Sequence, residues 1–460
     1  MAKSYQMDMC SGSVLKKLLM FSLPLMASGL LQLLFNAADV IVVGRFAGDN
    51  SMGAVGCTTA LINLITNLFV GLSVGINVSA ARAHGAGSFE DMQDTVHTAV
   101  TLSLICGVIL SAIGYFLAPE LLVIMETPES QLTLASDYLR IYFMGMPAML
   151  LYNFGSAILR SVGDTKRPLY FLTTAGIVNV GLNLLFVIVF RMDVEGVALA
   201  TVISEGISAV LTVICLIKEQ NSIHLNLKKL RIKARVMGTI AKIGLPAGFQ
   251  GVIFSLSNVV IQSSINPFGD IVVSGNSAAA SIEGFIYMAM NTFHQSAVSF
   301  TGQNVGAKRY DRIPRILLCS QLCVIVTGVV LGWAAFLFGK PLLSVYSNNA
   351  PVIEAGMKRL SVIVTTYALC GMMDVMVGVL RGLGCSVTPM IVSLLGACGI
   401  RILWLNTVFR IAEFHNVYTV YISYPVSWTI TLMVHIICYI VVWRNTKRRQ
   451  AEYFPAKSKI

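Results

Sequence analysis

Runs of about 20 mostly apolar residues, the length that crosses a bilayer as a helix, recur along almost the whole chain. About twelve such runs can be drawn, centred near Leu30, Leu68, Ile105, Ala148, Asn179, Ala209, Phe254, Met290, Val326, Tyr367, Leu395 and Ile430. Only short loops separate them, so no room remains for a soluble domain. The first run, in "VLKKLLMFSLPLMASGLLQLL", follows lysines as a signal peptide would. Its apolar length exceeds that of an h-region, so it reads as an uncleaved first span. The pattern predicts an all-α integral membrane protein with 12 transmembrane helices.

The pattern also repeats. A shift of 222 residues lays "FSLPLMASGLLQLLFNAADVIV" on "IGLPAGFQGVIFSLSNVVIQSS", aligning Pro24 with Pro246 and Asn36 with Asn258. A shift of 221 superposes Gly85 and Ala86 on Gly306 and Ala307, and "LRSVGDTKRP" from Leu159 on "LRGLGCSVTP" from Leu380. Two homologous six-helix lobes are therefore expected, at 1–220 and 236–445. A basic cytoplasmic linker, 221–235, joins them around "NLKKLRIKARV", and a basic cytoplasmic tail follows at 446–460. Six helices per lobe give both lobes the same orientation, related by a pseudo-twofold axis along the membrane normal. Duplicated halves of this kind are a transporter architecture, with cargo expected near the midplane. Against a channel, no filter-like loop lies between spans. Against an enzyme, there is no nucleophile triad, HExxH or other metal-spaced pair.

Composition strengthens the membrane reading: of 460 residues, 56% are hydrophobic and 12% charged, against roughly 25% charged in soluble domains. The net charge of +11 follows loop topology. With a cytoplasmic N-terminus, most of the 33 basic residues fall on the inner side, in the linker, around Lys308 to Arg315 and in the tail. A multi-pass protein of the plasma (cytoplasmic) membrane with both termini cytoplasmic is expected, and nucleic acid is not. The ten cysteines lack paired spacing and support neither a disulfide framework nor zinc. No cofactor is expected.

Charged side chains within spans are costly, about 2.5–3.5 kcal/mol at the midplane, so each is a candidate functional residue. Asp39, Glu205, Glu283 and Asp374 are the acids. They outnumber the bases, read chiefly as Arg140 and Arg401, so an acidic interior for cationic cargo is expected. Ser28, Gln32, Asn36 and Asp39 share one helical stripe, as do Glu283, Tyr287, Asn291 and Gln295; Asn179 and Asn183 lie four apart. Such residues serve either as a cavity surface or as interhelical hydrogen-bonding groups. Pro24 and Pro246, at matching depths of the first and seventh spans, can each bend a helix. His294 and His435 have no visible partner and read as packed.

The duplicated 12-span chain, the Pro24 to Asp39 helix, and "LRSVGDTKRPLY" with its echo "LRGLGCSVTPMI" resemble the multidrug and toxic compound extrusion (MATE) family, bacterial multidrug-efflux branch, over essentially the whole chain. The resemblance implies cation-coupled antiport of cationic, amphipathic drugs by alternating access. It also implies a cation site in the N-lobe, matched here by Asp39, Asn153, Asn179, Asn183 and Thr201. Some relatives carry Asp where this chain has Asn183. Asp39 is then the set's only carboxylate, which points to a proton more than to sodium, the only metal ion in question. The C-lobe has Ile261, Ile400 and Trp404 in place of Asp39, Asn179 and Asn183, and Asp374 in place of Asn153. Coupling is therefore expected in the N-lobe. A cargo surface shared between lobes is expected at Gln32, Asn36, Glu283, Tyr287, Asn291 and Asp374. A complete pathway in one chain makes a monomer sufficient. Two rivals remain: a lipid-linked oligosaccharide flippase of the same superfamily, which needs a basic cavity, and a membrane sensor or scaffold that does not transport.

Overall fold

A computed structural model describes residues 5–47, 49–125 and 127–453. Lys3 and the last seven residues of the expected tail, 454–460, lie outside the described residues. Sixteen helices follow in order: α1 (Val14–Phe46), α2 (Asp49–Gly85), α3 (Phe89–Ile124), α4 (Glu129–Met144), α5 (Met146–Ser161), α6 (Lys166–Leu184), α7 (Val194–Lys218), α8 (Ala234–Ile265), α9 (Asp270–Gly306), α10 (Ile313–Leu337), α11 (Gly339–Ser344), α12 (Ala350–Ile363), α13 (Ala368–Gly382), α14 (Val387–Ser393), α15 (Ile400–Asn406) and α16 (Val417–Tyr453). Among the described residues there is no strand.

Nine of the described helical stretches are long and apolar enough to cross a membrane, and two more spans arise if α4–α5 and α12–α13 each count as one bent span. The 37-residue α9 completes twelve; it carries Asn276, Glu283, Asn291, His294 and Gln303, which make it too polar for the apolar test. The chain is a multi-pass, all-α membrane protein of two homologous six-helix lobes. The bends, of 48° and 45°, sit at Gly145 and at Tyr367, just past the tight turn Val364–Thr366. Just past the first, Pro147 supplies no backbone N–H to the helix. At the second, the Thr365 and Thr366 hydroxyls donate to carbonyls four residues back, each at 2.7 Å. In contrast, α1 and α8 run unbroken through Pro24 and Pro246.

Two compact units form, one of residues 1–252 with 302–313 and the other of 253–301 with 314–460. In the first, α3 packs along α4 and α5, and α2 against α5. Phe143, Leu150, Phe154 and Ile158 are fully buried there. Small residues permit close approach, as expected where helices pack by shape rather than by solvent expulsion. A Cβ on Gly71 would strike the backbone of Gly248, and one on Gly107 that of Pro147.

The "LRSVGDTKRP" motif turns α5 into α6. Gly163 adopts φ +87°, a left-handed conformation that glycine reaches without Cβ strain; its repeat partner Gly384 has φ +86°. Asp164 accepts from the amides of Lys166 and Arg167, at 3.1 Å each, and pairs with the Arg167 side chain. The N-terminal strap closes over this turn. Met7 N donates to Val162 O at 3.1 Å, and buried Met9 is held through Gln303 (3.2 Å) and Asn304 (3.1 Å). On the strap, burial works against the charge of Asp8, but the Ser11 hydroxyl, the Cys10 amide and Lys17 outweigh it and hold the carboxyl below its usual 3.8.

In the second unit, α12, α13 and α14 pack along α16. The last helix continues to Tyr453, so the basic residues Arg444 and Lys447 lie on a helical extension.

Candidate functional site

Asp39 lies one turn beyond Phe35 on α1. A Cβ at Gly176 of α6 would fall inside the Phe35 ring, so glycine there admits the ring between the two helices. Asn179 and Asn183 follow on α6 at three and seven residues from Gly176, which aligns them with Asp39. Thr201 faces them from α7, which packs along α6. Immediately after Asn183 and Leu184 the helix widens into a π turn, Leu185–Val189, a distortion frequent near functional positions.

These four side chains form one chain of hydrogen bonds. Asn183 Nδ2 donates to Asp39 Oδ1 at 2.5 Å and to Asn179 Oδ1 at 3.2 Å. Asn179 Nδ2 donates to Thr201 Oγ1 at 3.4 Å, and the Thr201 hydroxyl donates to Val197 O at 3.0 Å. Asn183 is fully buried and Asn179 nearly so. Asn183 Oδ1 is sealed from solvent and accepts no hydrogen bond. A buried carbonyl oxygen without a donor beside a carboxylate is an unusual arrangement, since such groups are nearly always satisfied. It suits a small cation that prefers oxygen ligands, or a proton moving between oxygens. Among the described residues, no group of three His, Cys, Asp or Glu could hold a metal ion.

Asn153 stands apart from this chain: its Nδ2 donates to Met149 O on its own helix at 2.9 Å. Glu205, an acid the sequence marks without assigning it to the site, lies close enough to Asp39 to interact electrostatically. A Cβ on Gly145 would come within 3.4 Å of its Oε2, so Glu205 sits against the bend between α4 and α5. Stacked Tyr138 and Tyr142, with ring centroids 6.1 Å apart, are in the fields of both acids.

The expected cargo residues divide. Gln32 and Asn36 are exposed on α1. On α9, the Tyr287 hydroxyl lies close enough to the Asp374 carboxylate to interact electrostatically, and Asn291 is half-buried. Glu283 is not an open acid: Arg359 Nε and NH2 donate to its two oxygens, both at 2.7 Å, while Arg359 NH1 donates to Asn276 Oδ1 at 2.7 Å. The expected acidic interior therefore does not extend to this unit, where the two acids Glu283 and Asp374 stand beside three buried arginines. Arg359, Arg381 and Arg401 are all under a tenth exposed, whereas the Arg140 side chain is 40% exposed beside Asp137. Arg359 and Arg381 lie on either side of the apolar run at Tyr367, and both are buried. His294 accepts at Nε2 from Arg381 (3.4 Å) and donates from Nδ1 to Asp374 O (2.6 Å). His435 bonds Ser393 Oγ at 3.0 Å.

Comparison with known proteins gives four findings. A probable multidrug resistance protein of Bacillus subtilis (strain 168), YpnP, is 29% identical over 388 residues, 84% of this chain and 87% of that one. An FAD transporter of Shewanella oneidensis is 26% identical over 351 residues, 75% of this chain and 77% of that one. The solved structure of an outward-facing multidrug resistance MATE family transporter of the MOP superfamily superposes with a TM-score of 0.89 at 20% identity, over 96% of this chain and 98% of that one. The MatE family model matches twice, at residues 24–185 and 246–405, once in each repeat, and the chain belongs to the MatE family.

Proposed function

We propose that this protein is a cation-coupled antiporter of the plasma membrane that exports amphipathic compounds, many of them cationic, by alternating access. The relatives named for multidrug resistance and for FAD transport support the cargo class. The observation that carries the coupling is the Asp39–Asn183–Asn179–Thr201 chain with its vacant Asn183 carbonyl. Neutralising Asp39 with a proton removes the acceptor charge that holds Asn183 Nδ2. Sodium instead would draw in Asn183 Oδ1. Each event changes hydrogen bonds that tie α1 to α6 and α7, and so supplies the differential interaction that biases one arrangement of the lobes. A single carboxylate in the chain favours the proton.

Cargo contact is assigned to Gln32, Asn36, Tyr287, Asn291 and Asp374, with Glu283 neutralised by Arg359. The loop charges support cytoplasmic termini, and a complete two-lobe pathway in one chain supports a monomer as sufficient for transport. Ethidium efflux from proteoliposomes under a pH gradient or a sodium gradient alone tests the reading. Efflux in wild type driven by one of these, and lost in Asp39→Asn, is expected. Wild-type efflux that ignores both gradients, or Asp39→Asn at full rate, refutes it.

A further inference from the structure

Arg401, on α15 within the span 387–410, is 7% exposed. Its guanidinium carbon lies 4.1 Å from the Tyr424 ring centroid and 5.5 Å from that of Trp428, and its Nε donates to Ser427 Oγ at 2.8 Å. Tyr367 continues the aromatic wall, 5.5 Å from Trp428 between centroids. The other buried guanidiniums of this unit are matched by acids. Arg359 spends Nε, NH1 and NH2 on Glu283 and Asn276, and Arg381 lies in the field of Asp374. Arg401 is the remainder. The ionisable groups that act on it most strongly are Tyr424, Cys370, Cys398 and Tyr367, and no ion pair joins it to a carboxylate among the described residues.

Among the described residues, the terminal nitrogens of Arg401 make no hydrogen bond, yet they are not among the enclosed polar atoms. One edge of a guanidinium thus stands open, its plane fixed by ring stacking and by Ser427. A charge in a span normally has a carboxylate partner or a task. Stacking alone would tolerate an uncharged planar group, whereas a fork of two parallel N–H donors suits two oxygens of one anion.

We infer that the open edge of Arg401, walled by Tyr424, Trp428 and Tyr367, recognises the acidic group of a planar aromatic compound: a carboxylate, phosphate or sulfonate attached to a ring that continues the stack. This deepens the exporter reading and rests on it. The cargo range then includes zwitterionic and anionic aromatics, held in the second unit.

Riboflavin and flavin mononucleotide provide a ring-matched pair without and with a phosphate. Their binding to the purified protein in phosphatidylcholine nanodiscs is read by flavin fluorescence anisotropy. Wild type should bind the phosphorylated flavin about tenfold more tightly than riboflavin, and Arg401→Gln should bind the two alike. No preference in wild type, or a preference kept in Arg401→Gln, overturns the inference. Should Arg401→Gln fail to fold, Ser427→Ala releases the guanidinium while keeping its charge. It should lower the preference about threefold, and an unchanged preference again overturns the inference. Added phosphatidylglycerol should leave the bound flavin in place; its displacement would reassign the edge to a lipid phosphate. Wild-type ethidium efflux is measured separately on the same preparation, so failure of the exporter reading and failure of this site are distinguishable.

Discussion

Replacing Arg359 by Met should damage the second unit far more than replacing Arg359 and Glu283 together. The two side chains are 8% and 7% exposed and share two hydrogen bonds of 2.7 Å. Removing one member of such a buried pair strands a charge and costs about 3–5 kcal/mol. Arg359→Met also leaves Asn276 Oδ1 without its donor, adding about 1–3 kcal/mol. The single variant should therefore lose about 4–8 kcal/mol. In Glu283→Met/Arg359→Met no charge is stranded, so only the Asn276 cost, about 1–3 kcal/mol, remains. The difference corresponds to more than a hundredfold, on the order of 10² to 10³, in the unfolding equilibrium. Reversible denaturation in detergent, followed by tryptophan fluorescence across the double-mutant cycle, measures it. Losses in the single and double variants that agree within about 1 kcal/mol would refute the reasoning. Transport gives a second reading. If Glu283 serves Arg359 rather than cargo, the double variant keeps ethidium efflux; if Glu283 draws cations itself, the double variant loses it.

Three further outcomes are expected. Asn183→Ala removes both the donor to Asp39 and the vacant carbonyl, and should lower gradient-driven efflux about tenfold or more, while Asn153→Ala, whose amide serves its own helix, should change it less than about twofold; comparable losses would count against the four-residue chain. Gly176→Ala puts a methyl group into the Phe35 ring and should cost about 1–3 kcal/mol by overpacking, with efflux restored by adding Phe35→Leu; no rescue would mean that this contact does not set the Asp39 position. Asp8, whose carboxyl is held below 3.8, steadies the strap above that pH and loses its contribution as pH falls through the lowered folded value; hydrogen exchange of residues 5–13, corrected for intrinsic rates, should rise there, and Asp8→Asn should show the raised exchange already at pH 7.

Much of this protein is legible along the chain because a bilayer imposes a local rule. A spanning helix must satisfy its own backbone and present apolar side chains for about 20 residues, so about twelve runs could be drawn along the chain, the one at Met290 on α9 being the most polar of them. The repeat marked Gly163 and Gly384 as equivalent positions, and the structure gives the reason both are glycine: each has a left-handed backbone. Asp39 was legible because an acid in an apolar run is expensive.

What the chain order could not fix was which charges meet. Glu283 and Arg359 are 76 residues apart, and Asp39 and Asn183 144 apart; whether a buried acid stands open or neutralised depends on a partner that no local pattern names. Arg359 and Arg381 lie on either side of the apolar run at Tyr367, and tertiary packing buries both. Hydropathy likewise gave no sign that Asn153 would turn back on its own helix, or that Arg401 would lie between aromatic rings with one edge open. Helix positions follow from transfer free energies, which are additive along the sequence. Pairing inside the bundle is decided by packing, where a glycine such as Gly176 sets how near two helices come and hence which polar atoms find each other.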